Sequence, residues 1–113
     1  MTVRLYILQR ATAALMVPLI AVHLVTMLYA IHGGLSAAEI LGRTRASWGW
    51  ALFYGVFVLA ASVHGAIGVR AVAVEWTTLR GCGLDVAMWA FGATLLLLGL
   101  RAVMAVVAPG SVP

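Results

Sequence analysis

His64-Gly65-Ala66-Ile67-Gly68-Val69-Arg70 sets a histidine in uninterrupted apolar sequence, with an arginine six residues on and Glu75-Trp76 closing the run. Six residues of helix rise about 9 Å, so Arg70 reaches headgroup level while His64 stays in hydrocarbon. Eleven steps of roughly 100° return Glu75 to the histidine's face. An ionisable side chain at bilayer depth costs about 3 kcal/mol on insertion scales and marks a functional face by default. The stretch therefore reads as a membrane helix carrying a buried ligand, a charged neighbour above it, and an acid–aromatic pair at the rim.

Composition agrees with that reading. Of 113 residues, 65% are hydrophobic and 9% charged, with a mean hydropathy of +1.12. A soluble domain averages about 45–50% apolar. The pI near 10.3 comes from seven arginines and no lysine. They are scattered singly near segment ends, as membrane-flanking charges are, and form no basic stripe for nucleic acid. Cys82 is alone, which excludes a disulfide framework and a cysteine metal cluster and leaves an inert thiol. The fold class is an all-α membrane protein, with residues 1–113 as a single transmembrane domain.

Three spans are predicted, at about 5–31, 48–74 and 86–107. The first is too long for the h-region of a signal peptide and is read as retained. Pro18 stands mid-span, where a kink is expected, and His32-Gly33-Gly34 ends the helix. Ser36-Ala37-Ala38-Glu39 matches a capping box, which predicts a short surface helix near 37–42. Arg43, Arg45, Trp48 and Trp50 mark the start of the second span. Its small residues, Gly55, Ala60, Ala61, Ser62, Gly65, Ala66 and Gly68, admit a neighbouring helix or a flat cofactor. Gly81-Cys82-Gly83 makes the second turn, and Ala108-Pro109-Gly110 stops the third helix. Glu39, Glu75 and Asp85 all fall outside these spans. With the N-terminus inside, Arg4, Arg10, Arg70 and Arg80 face Arg43, Arg45 and Arg101 across the membrane, a weak positive-inside bias.

Each candidate residue carries a functional and a structural reading. His64 and His23 suit axial ligation of haem iron through a neutral imidazole, or hydrogen bonding to a neighbouring helix. They lie at different depths on two helices, so two haems would need two further imidazoles from elsewhere. Arg10 and Thr12 offer donors to a quinone carbonyl; Arg10 equally suits snorkelling to water. Glu75 and Asp85 suit proton delivery or salt bridges to arginines of a soluble partner. His32 reads as a wet interfacial histidine.

The run from His64 through Gly68 and Arg70 to Glu75-Trp76 resembles the second membrane helix of the anchor subunits of succinate dehydrogenase and fumarate reductase. Leu8-Gln9-Arg10-Ala11-Thr12-Ala13 resembles the family's first-helix motif, and Val22-His23-Leu24 a first-helix histidine of haem-carrying anchors. The third helix carries no matching motif. The resemblance implies a haem b-binding anchor subunit of succinate:quinone oxidoreductase, with His64 and His23 on haem iron and Arg70 on a haem propionate. It implies one or two haems shared with a second anchor subunit or second copy, and a quinone site involving Arg10, Thr12, Trp76, Tyr6 and Glu75. Tyr6 stands where the family often has Ser, and Trp76 where it often has Tyr, so one phenolic donor is missing.

The implied partners are an iron–sulfur subunit and a flavoprotein subunit of the same electron-transport complex. The chain has no flavin motif and no cysteine cluster, so dicarboxylate chemistry is expected in those partners and the chain is non-catalytic alone. The implied location is the bacterial inner membrane with the N-terminus cytoplasmic. Two other readings stand beside it: a haem-free scaffold of the same complex, and a small transporter component. The second is disfavoured because no acid falls within a predicted span.

Overall fold

The structure, a computed structural model, describes residues 2–34, 36–44 and 47–107. Four helices follow in order: α1 (Val3–Gly33), α2 (Ala37–Thr44), α3 (Trp48–Trp76) and α4 (Cys82–Val107). The described residues contain no strand. α1, α3 and α4 are each long and apolar enough to cross a bilayer, and the chain is an all-α membrane protein. The predicted stop at Ala108-Pro109-Gly110 and the position of Arg45 lie outside the described residues.

Local chemistry sets the boundaries. Thr2 caps α1 by accepting from the Leu5 amide at 3.3 Å, and Ser47 caps α3 by accepting from Trp50 at 3.2 Å. Gly34 ends α1 with φ +115°, a conformation that favours glycine, while its own amide donates to Ala30 O. The Ser36 hydroxyl accepts from the Glu39 amide at 3.2 Å, half of the predicted capping box. α1 continues as helix through Pro18.

Several boundaries differ from the expectation, α1 extending two residues further at each end and α2 two residues further at its end. α3 runs two residues further and takes in Glu75 and Trp76. α4 starts at Cys82 rather than near 86, because Gly81 alone, at φ +88°, makes the turn. Asp85 consequently sits in the first turn of a spanning helix, where its charge complements the N-terminal end of the dipole. Glu75 and Asp85 thus lie within the helices, at their ends.

α3 is the middle helix, and both α1 and α4 pack principally on it. Its small residues serve the two neighbours on different faces. Ser62 and Ala66 meet α4 at Gly92, where an added Cβ would lie 3.1 Å from the Ala66 Cβ. Gly68 instead meets Gln9 of α1, while Gly55 has open space beside it. Ala66, Ile67 and Met88 form the core, with Leu5 and Val63 against them. α2 is tied to the far end of α4 by the Thr44 hydroxyl, which donates to Val106 O at 2.6 Å. Along α1 only Thr12 is buried, so most of that helix presents apolar side chains outward.

Candidate functional site

α1 and α3 run antiparallel, which sets the first turns of α1 beside the last third of α3. Gln9 and Thr12 are three residues apart and so share the face of α1 that meets α3. On α3, His64 and Gly68 are one turn apart and meet them. The His64 ring reaches across the interface, with Nδ1 3.2 Å from the Thr12 hydroxyl. Its Nε2 makes no hydrogen bond among the described residues. The Thr12 oxygen also lies 2.9 Å from Leu8 O and 3.0 Å from Gln9 O. Beside this pair, the Gln9 side-chain oxygen is buried with no hydrogen-bond partner among the described residues. A buried acceptor left unpaired costs about 1–3 kcal/mol.

His23 lies further along α1, in an aromatic box. Its ring sits edge-on to Phe57 at 5.5 Å and to Tyr54 at 6.0 Å, and Tyr54 stacks on Trp50. Seven residues of α3 separate the Phe57 level from His64, about 10 Å. The two histidines therefore sit at different depths of the α1–α3 interface. His32 is exposed at the end of α1, with Nδ1 2.9 Å from Leu28 O. Among the described residues no three His, Cys, Asp or Glu side chains converge on a metal-sized site.

Arg70, which the resemblance puts on a haem propionate, and Asp85, read as a proton carrier or a bridge to a soluble partner, contact each other. Arg70 Nε donates to Asp85 Oδ1 at 2.7 Å, joining the end of α3 to the start of α4. The terminal guanidinium nitrogens of Arg70 make no hydrogen bond among the described residues. The Arg70 side chain is 14% exposed and Asp85 is 48% exposed, so solvent screens the pair only partly. Asp85→Asn is expected to lower stability in detergent by about 1–2 kcal/mol, read by thermal unfolding. Arg70→Gln in the same background should cost little more, since the partner is already gone.

The remaining quinone candidates do not converge on one point. Arg10 is exposed and lies over the Tyr6 ring, 5.5 Å from its centroid. Thr12, two residues on, is rotated by about 200° and directed at His64. Trp76 is 82% exposed at the end of α3, and Glu75 beside it is exposed. The sequence reading gave Thr12 to a quinone and did not connect it with His64. It also left Gln9 out of the site. Neither link is visible without the register of α1 against α3.

The site thus joins His64 and Gly68 of α3 to Thr12 and Gln9 of α1. No curated protein and no solved structure matches the chain significantly. The family model for the succinate dehydrogenase/fumarate reductase transmembrane subunit matches residues 1–108, across all three spans. The chain belongs to the family of succinate dehydrogenase/fumarate reductase transmembrane subunits.

Proposed function

We propose that this membrane anchor subunit binds haem b through His64 and passes electrons from a partner iron–sulfur subunit to quinone. The carrying observation is the His64 imidazole, held inside a spanning helix by Thr12 with Nε2 left bare. Haem bound there supplies a one-electron relay between the cluster and the quinone. Residues of this chain would hold it as follows. His64 Nε2 ligates the iron, and the free terminal nitrogens of Arg70 are donors for a propionate, with Nε kept by Asp85. Any further ligand would come from another anchor subunit or a second copy, since His23 packs at the Phe57 level, about 10 Å along α3 from His64. His23, boxed by Tyr54 and Phe57, is the ligand for a second haem on the other side of the membrane. The soluble partners, an iron–sulfur and a flavoprotein subunit, dock on the face carrying Arg4, Arg80 and Glu75. That face is the cytoplasmic one, in a bacterial inner membrane.

Arg10 lies on the exposed side of α1 with Tyr6 beneath it, where a guanidinium meets a quinone carbonyl whose charge grows on reduction. Trp76 and Glu75 flank the same end of the bundle. Removing a charged donor from such a contact costs about 1.5–3 kcal/mol. Arg10→Leu is therefore expected to slow quinone reduction by the purified complex about tenfold or more, with soluble-dye reduction unchanged. Equal quinone turnover in the variant takes Arg10 out of the site. The haem content of the purified wild-type complex, by pyridine haemochrome, tests the central claim; no haem leaves the chain a scaffold.

A further inference from the structure

We infer that Thr12 is the positioning residue that fixes the tautomer of His64, holding the proton on Nδ1 and presenting Nε2 bare. The inference rests on the haem reading for its consequence, though the tautomer itself follows from the geometry around one hydroxyl.

The Thr12 oxygen has three polar neighbours: Leu8 O at 2.9 Å, Gln9 O at 3.0 Å and His64 Nδ1 at 3.2 Å. A hydroxyl owns a single proton. If that proton pointed at Nδ1, the oxygen would face two carbonyl oxygens at about 3 Å with nothing between them. All three contacts are favourable in only one arrangement. The hydroxyl donates to the helix carbonyls, the usual back-bond of a threonine in a helix. Its lone pair then accepts Nδ1–H from the imidazole. Thr12 is buried, so water does not compete for either role.

A neutral imidazole protonated on Nδ1 has its lone pair on Nε2, the atom that faces away from Thr12. Metal-ligating histidines usually donate their other N–H to a fixed acceptor, which sets ring orientation and raises the basicity of the ligating nitrogen. Here the acceptor is supplied by a different helix, so the docking of α1 on α3 and the readiness of the ligand are the same contact. A stronger donor nitrogen favours ferric over ferrous iron. Loss of the Thr12 acceptor therefore raises the haem midpoint potential.

Two measurements test this. In the purified complex, Thr12→Val should raise the haem midpoint potential and alter the ferric EPR signal, while Thr12→Ser, which keeps the hydroxyl, restores the wild-type values. Haem present in Thr12→Val with unchanged potential and spectrum overturns the inference. In the full-length wild-type chain without haem, in detergent at alkaline pH, 15N spectra of the histidines should show His64 protonated on Nδ1. A proton on Nε2 there overturns it without any variant. A wild-type complex that lacks haem refutes the haem reading alone, and the 15N spectrum then decides the tautomer by itself.

Discussion

Replacing His64 with alanine is expected to remove one full equivalent of haem from the purified complex. The variant chain should still insert and still retain its catalytic partners. The expectation follows from the position of the ring. Among the described residues its Nδ1 hydrogen-bonds to Thr12 alone, and the apolar core of Ala66, Ile67 and Met88 is built from other side chains. Deleting it opens a small polar gap at the α1–α3 interface, and the α3–α4 contacts are left alone. Ligation through a metal is all or none, so occupancy and not potential is the observable. His23→Ala should remove a different equivalent, because the His23 ring packs at the Phe57 level, about 10 Å along α3 from His64. Full haem retention in His64→Ala takes that residue off the iron. Loss of both haems in either single variant contradicts separate centres.

Gly99→Ala should be the most disruptive single methyl addition in the bundle. An added Cβ would stand 3.2 Å from the Val58 Cβ and closer still to both of its γ-methyls. Valine in a helix has one strongly preferred rotamer, so the clash is not relieved by a side-chain turn. α3 and α4 must separate instead. Between membrane helices, close packing carries most of the association energy, since lipid tails are as apolar as the helices themselves. Overpacking of this kind costs about 1–3 kcal/mol. It should appear as a lower unfolding midpoint in detergent and less complex in the membrane. Val58→Ala in the same chain should restore most of the loss. A double variant as unstable as Gly99→Ala would place the cause elsewhere.

The three spans and the short surface helix were legible because each rests on a local signal. Apolar length sets the spans, Trp48 and Trp50 mark the entry to α3, Ser36 caps the surface helix, and Gly34 ends α1. The beginning of α4 was misjudged by four residues because Gly-Cys-Gly looks like a turn, whereas only Gly81 adopts the positive φ. The side-chain contacts were not legible as a set of pairs. His64 and Arg70 stood out because polar groups are rare in such sequence. Their pairing with Thr12 and Asp85 did not, since Thr12 lies 52 residues from His64 and Asp85 lies across a turn from Arg70. Those pairings depend on how α1 and α4 register against α3, which side-chain packing decides and no single motif encodes.

The Arg70–Asp85 contact has a consequence for how the chain enters a bilayer. Only five residues, 77–81, separate α3 from α4. Threaded singly, each helix would bring an unpaired ion to the membrane. As a hairpin they arrive with that pair already made at 2.7 Å, a dipole in place of two ions. Insertion of α3 and α4 as one unit therefore meets a lower electrostatic barrier than insertion of either alone. It also delivers the second half of the bundle in the register that the first helix then reads.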